Sequence, residues 1–177
     1  MDGARNEQTI TLAGGCFWCV EAAFRELDGV LDAVSGYAQG ELPNPSYAEV
    51  CSGNSGHAEA VQLRFDPRVL PLARLLDVFF AIHDPTTRDR QGADIGPQYR
   101  SGIYYHDDAQ GAQVRAYVAE LGPEVVTEVE PLRGFWPAET QHQDYYAHHP
   151  DAGYCRVVIA PKLAHLRQAF AAQRRTR

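Results

Sequence analysis

The sequence predicts an α+β fold: a ferredoxin-like, split-βαβ two-layer sandwich with an extended, coil-rich C-terminal segment. Three observations predict it. Segments that alternate apolar with polar residues are interleaved with segments of helical periodicity, in the order strand, helix, strand, strand, helix, strand. The chain has 177 residues, enough to bury one core without staples, and no repeat or composition break divides it, so residues 1–177 read as a single domain. From Pro131 to Pro161 it is rich in aromatic residues and histidine and broken by prolines, which suits coil and short helix wrapped on a sheet.

Gln8 to Ala13 alternates and reads as a strand running into a Gly14-Gly15 turn. Phe17, Val20, Phe24 and Leu27 then recur three or four residues apart, with Glu21, Arg25 and Glu26 on the other faces and Gly29 as the stop. Leu31 to Tyr37 is the second strand, and Gly40 to Tyr47, with Pro43 and Pro45, is loop. His57 to Phe65 alternates again until Asp66-Pro67, and Leu72, Leu75, Leu76, Phe79 and Phe80 mark an amphipathic helix that ends before His83-Asp84-Pro85. Thr86 to Arg100 is too polar for core, and a loop of that length in one domain is usually functional. Ser101 to His106 is a strand, Asp107 to Leu121 a helix capped by Asp107 or Asp108, Val125 to Val129 a strand, and Leu163 to Phe170 a last helix. Residues 1–7 and 171–177 are expected to be mobile tails, with Arg174 to Arg177 frayed.

A net charge of −7 argues against a nucleic-acid or anionic-membrane partner, since both reward a basic surface. The first residues are polar with no apolar core of a leader, and no stretch approaches the roughly 20 apolar residues of a membrane span. A soluble, cytoplasmic protein, monomeric, is expected. Lys162 is the only lysine and Met1 the only methionine; both are taken as compositional bias.

Four cysteines in such a chain point to catalysis or metal binding rather than a disulfide framework. Cys16 sits where the glycine turn hands over to a helix, whose backbone N–H groups and dipole favour a thiolate. With Cys19 it forms a C-x-x-C pair enclosing Phe17 and Trp18. Three chemistries are open: a thioredoxin-like disulfide exchange site, half of a zinc set completed by Cys51 and His57, or a nucleophile with a second thiol resolving its product. Cys51 and Cys155 stand alone in sequence, which weakens the zinc option, and Phe17-Trp18 replaces the small residues usual in exchange sites. No carboxylate spacing makes a metal site of His142, His148 and His149, which read as surface residues, while His57 reads as structural. Cys51 reads as a small buried hydrophobe.

The run Gly-Cys-Phe-Trp at 15–18, the run Gly-His-Ala-Glu at 56–59 and the pattern Asp94-x-Gly96-x-Gln98-Tyr99-Arg100-Ser101 follow one another in order. On these motifs the chain resembles the A-type peptide methionine sulfoxide reductases, over roughly Thr9 to Lys162. The resemblance implies an α+β sandwich and reduction of methionine-S-sulfoxide, free or in proteins. It implies Cys16 as nucleophile and Glu59 as the general acid that protonates the sulfoxide oxygen. Tyr47 and Tyr99 match hydroxyls that bind that oxygen, Asp94 a residue that positions substrate or water, and Phe17 with Trp18 the cradle of the ε-methyl group. Cys16 would be left as a sulfenic acid, condensed to a disulfide by a second thiol. Gly153-Tyr154-Cys155 resembles the family's resolving segment, so Cys155 is favoured, with Cys19 the alternative or a relay. Thioredoxin is the implied reductant, with no bound cofactor and no metal. Two departures stand out: no glycine-rich tail with a further cysteine follows Cys155, and Gln141 replaces a common tyrosine.

Overall fold

A computed structural model of the chain describes residues 6–175. Its elements are β1 (Gln8–Gly14), α1 (Phe17–Arg25), β2 (Val30–Ala38), α2 (Tyr47–Cys51), β3 (Ala58–Phe65), α3 (Leu72–Ile82), β4 (Arg90–Gln91), β5 (Asp94–Ile95), β6 (Ser101–Tyr105), α4 (Asp108–Ala119), β7 (Glu128–Pro131), β8 (Phe135–Pro137), α5 (Tyr145–His148) and α6 (Ala160–Ala169). Six strands form one mixed sheet in the order β7-β6-β1-β3-β2-β8. β3 lies between β1 and β2 and runs antiparallel to both; β6 flanks β1 antiparallel, and β7 joins β6 in parallel at the edge.

The two-residue period of a strand divides this sheet into faces. On β3, Glu59, Val61, Leu63 and Phe65 share one face, and Ala58 and Ala60 share the other. The first face packs Ile10, Leu12, Val61, Leu63 and Ile103 beneath Val20 and Phe24 of α1, Leu75 and Phe79 of α3 and Leu163 and Leu166 of α6. Burying each such side chain contributes about 1.5–3 kcal/mol before chain entropy is charged against it. On the second face the alanines meet Tyr104, Leu132 and Phe135. One carboxylic acid, Glu59, therefore points into the helical layer, and its position is set by strand register.

Several boundaries differ from the sequence-based expectation, each for a local reason. α4 starts at Asp108 because Asp107 is its cap, accepting the Gln110 N–H at 2.8 Å. The final edge strand begins at Glu128, later than Val125, where parallel pairing to Gly102 becomes available. The loop expected over 86–100 contains the β4–β5 hairpin and a 3₁₀ turn at Pro97–Tyr99. A short helix at Tyr47–Cys51 was not expected; a capping box between Ser46 and Glu49 starts it. Arg174, expected to fray, pairs with Leu27, and the Asp28 N–H donates to the Gln173 carbonyl, so the described part of the C-terminus is docked; residues 1–5, 176 and 177 lie outside the described set. Ahead of α6, Cys155–Ile159 forms a single π-helical turn in which the Ala160 N–H donates to the Cys155 carbonyl. Among the described residues, no helix is long and apolar enough to cross a membrane.

Candidate active site

The site is built at the junction of β1 and α1. Gly15 takes φ +91, and a Cβ there would lie 2.6 Å from the Gln91 side chain, so glycine is required both by conformation and by space. The turn delivers Cys16 as the N-cap of α1, with a thiol that makes no capping bond and is free to face the interior. Below it, Glu59 of β3 accepts the Phe17 N–H on Oε1 at 3.1 Å. Its Oε2 is buried and has no hydrogen-bond partner among the described residues. Burial pushes the Glu59 carboxyl up to about 8, against the pull of the Phe17 amide, and the Asp94 and Cys19 charges add to the rise. At neutral pH this acid keeps its proton.

The helix-start argument expects an acidic Cys16, and the structure corrects it. Burial is the largest influence and raises the Cys16 thiol well above its ordinary value; the Cys19 thiol and the Glu59 charge push the same way, and the Trp18 amide only partly opposes them. One backbone N–H does not replace lost hydration. Cys19 lies one turn from Cys16, its N–H donating to the Cys16 carbonyl at 3.1 Å; the Cys16 thiol beside it lowers Cys19 despite its burial, helped by the Lys162 charge and the Tyr154 hydroxyl.

Aromatic rings pack around the site. Trp18 stacks on Tyr145 with centroids 3.7 Å apart and donates its Nε1–H to Nδ1 of His142 at 3.3 Å. His142 stacks on Tyr47 at 4.3 Å, and Phe17 packs between Tyr37 and His142. Tyr47 is pinned by Glu139, which accepts the Tyr47 N–H at 2.9 Å and the Tyr37 hydroxyl at 2.7 Å. Burial and the nearby Glu59 hold the Tyr47 and Tyr99 hydroxyls far above their ordinary value, so both remain hydrogen-bond donors. Asp94 accepts the Tyr154 hydroxyl at 2.8 Å; Tyr154 meets Trp18 edge-on and lies 3.8 Å from the Cys19 sulfur.

Cys16, Phe17, Trp18, Cys19 and Glu59 are thus brought together directly, with Tyr47, Tyr99 and Asp94 around them. Cys155 is wholly buried in the π turn, raised by burial and by the Cys19 charge. The π turn that carries it packs against α1, the helix of Cys19. Two expectations are corrected: His142 is buried in the aromatic cluster, not a surface residue, and Cys51 is half-buried beside Tyr47 and Tyr99, not core. His57 has both ring nitrogens engaged, with the Gly40 N–H at 3.0 Å and the Leu42 carbonyl at 2.7 Å, which leaves neither for zinc. No cluster of three potential metal ligands occurs among the described residues. Tyr145 and Glu139 carry no motif in the sequence; the aromatic and histidine density after Pro131 is the only signal for Tyr145, and Tyr154 enters only as part of Gly153-Tyr154-Cys155.

Paired thiols at a helix start, beside a buried carboxylic acid and an aromatic cluster, define a thiol-based oxidoreductase. A family model described as "Peptide methionine sulfoxide reductase" matches residues 8–174. A peptide methionine sulfoxide reductase MsrA from Thermus thermophilus is 56% identical over 168 residues, covering 93% of this chain and 96% of the relative. The crystal structure of Mxr1 from Saccharomyces cerevisiae in reduced form superposes with a TM-score of 0.81 at 39% identity, over 86% of this chain and 91% of the other. The same yeast protein in complex with Trx2 gives a TM-score of 0.58 at 31% identity, over 80% and 86%. The chain belongs to the peptide methionine sulfoxide reductase family.

Proposed function

We propose that this enzyme reduces methionine-S-sulfoxide, free and protein-bound, through a Cys16 sulfenic acid and an intramolecular disulfide, with thioredoxin as the terminal reductant. A sulfoxide sulfur is a weak electrophile until its oxygen is protonated. Cys16 sulfur attacks the sulfoxide sulfur while Glu59, through Oε2, gives its proton to the sulfoxide oxygen; the hydroxyl passes to Cys16 as a sulfenic acid, methionine leaves as the thioether, and the proton that the Cys16 thiol loses on attack restores the Glu59 carboxyl. Tyr47 and Tyr99 hydrogen-bond the oxygen as charge develops on it. Phe17 and Trp18 receive the methyl group, and Asp94 orients substrate or water. The observation that carries this reading is the buried Glu59 carboxyl, protonated up to about pH 8 with an unpartnered oxygen. A disulfide exchanger transfers no oxygen and so has no oxide for that unpartnered carboxyl oxygen to protonate.

The resolving step follows the contacts. The sequence favours Cys155 as the direct partner of Cys16; the placement of Cys19 in the same first turn of α1, its N–H on the Cys16 carbonyl, supports Cys19 as the first to condense with the sulfenic acid, releasing water. Cys155, on the π turn packed against α1, then takes over the disulfide by exchange with Cys19 and frees Cys16. A thioredoxin dithiol reduces the remaining disulfide; the yeast relative solved with Trx2 supports that partner. We also read the four strands β6-β1-β3-β2 as the ferredoxin-like split-βαβ unit, with β7 and β8 as additions; the strand order supports it.

Stereospecific turnover of methionine sulfoxide is the test. Wild type is expected to consume the S epimer only, and Cys16→Ser to consume neither. Turnover of a protein disulfide with no action on a sulfoxide would establish the rival, an exchange enzyme built on Cys16 and Cys19.

A further inference from the structure

Glu21 lies on what the sequence presents as an outer face of α1, yet it is 1% exposed. Its two carboxylate oxygens take four hydrogen bonds. Arg25 Nε–H donates to Oε2 at 2.7 Å, the Ser35 hydroxyl donates to Oε1 at 2.7 Å, and the Asp144 N–H lies 3.0 and 2.9 Å from the two oxygens. The Asp144 bond is the informative one. Asp144 has φ +50, a left-handed conformation that costs a non-glycine residue energy and persists only where its surroundings hold it. On either side of it stand His142 and Tyr145, the residues that hydrogen-bond and stack on Trp18. The Gln143 side chain fastens the same turn to β2, accepting the Ser35 N–H and donating to the Ser35 and Ala138 carbonyls. Trp18 and Glu21 leave the same helix three residues apart. α1 therefore carries both the indole and the anchor that sets the rings against it.

We propose that Glu21 is a positioning residue for the sulfoxide methyl pocket: by holding the Asp144 amide it fixes His142 and Tyr145 against Trp18. The inference rests on the sulfoxide-reductase reading for its substrate. It assigns Glu21 no proton transfer.

The test compares single-turnover rates against methionine sulfoxide concentration for wild type, Glu21→Ala, Glu21→Gln and Ser35→Ala. Glu21→Ala is expected to raise the half-saturating concentration about tenfold or more, while the rate at saturation stays within about twofold. Glu21→Gln keeps an oxygen for the Asp144 amide and is expected to recover most of the loss. Ser35→Ala removes a bond to Glu21 that does not touch the pocket turn; it is expected to lower thermal stability while shifting half-saturation less than about twofold. A second readout needs no turnover: in a Trp136→Phe background, Trp18 emission is expected to shift to the red in Glu21→Ala. Unchanged half-saturation and emission in folded Glu21→Ala overturns the proposal, as does a Ser35→Ala shift equal to that of Glu21→Ala. If Glu21→Ala does not fold, Glu21→Asp, whose shorter carboxylate draws back from the Asp144 amide, takes its place: a raised half-saturation beside a near-wild-type one in Glu21→Gln supports the proposal, and a wild-type half-saturation in Glu21→Asp overturns it. Absence of sulfoxide turnover in wild type would refute the functional reading instead, with the emission still testing the anchor.

Discussion

Replacing Glu59 by glutamine separates its acid chemistry from its burial. Folding raises the carboxyl from an ordinary 4.5 to about 8, and each tenfold change in proton affinity is worth about 1.4 kcal/mol. Below the lower value the group is protonated whether the chain is folded or not, and its full contribution to stability is present. Above it the unfolded chain releases the proton and the folded chain retains it, so stability falls with rising pH until the folded carboxyl ionises as well. Between about pH 5 and about pH 8.5 this one position removes about 4 kcal/mol from the wild type, near the whole stability of some domains. Glutamine does not titrate and escapes that loss. Urea unfolding of reduced wild type and Glu59→Gln at the two pH values reads it directly: the wild-type midpoint should fall much further on the alkaline side. The same variant should slow the first sulfoxide turnover by about 10²–10⁴-fold, the range of a lost general acid. Parallel pH dependence in the two proteins would refute the claim that Glu59 is held protonated, whatever the activity.

Peptide mapping after one equivalent of sulfoxide separates the thiols. Cys155→Ser should still form a Cys16–Cys19 disulfide and lose thioredoxin-supported cycling, whereas Cys19→Ser should leave Cys16 as a sulfenic acid that a dione reagent traps; the opposite pattern would restore Cys155 as the direct partner. Gly36→Ala should destabilise the fold by about 1–3 kcal/mol or detach β8, because a Cβ there would lie 2.4 Å from the Phe135 ring and 2.5 Å from the Trp136 carbonyl; an unchanged melting temperature would show that the edge strand yields freely.

What sequence could reveal depended on whether a residue's role was local. Cys16 was legible because the Gly-Gly turn and the helical period lie beside it, and β1, β2, β3 and β6 because alternation is a property of consecutive residues. Glu59 was legible as chemistry only through resemblance: alternation puts it on a face, but which face is buried depends on α1 packing above. His142 failed as a prediction because its partners, Trp18 and Tyr47, are distant in the chain, so its neighbourhood suggested nothing but surface. Cys16 acidity failed for an energetic reason, since the dipole at a helix start is visible in sequence and the depth of burial that opposes it is not. Glu21 was misplaced by helical bookkeeping, which counts carboxylates as outward unless a buried set of donors is known.

The wide turn at Cys155–Ile159 gives the C-terminal thiol a reserve of reach. Pro161 brings no amide hydrogen to the start of α6, so the turn ahead of it is already short of helical bonds, while Leu163 and Leu166 anchor the helix beyond it in the core. Drawing those five residues from helical rise to an extended path would add about 9 Å of chain, from roughly 1.5 Å to roughly 3.3 Å per residue. The cysteine is thereby fixed to a tether that can let out without uprooting its post.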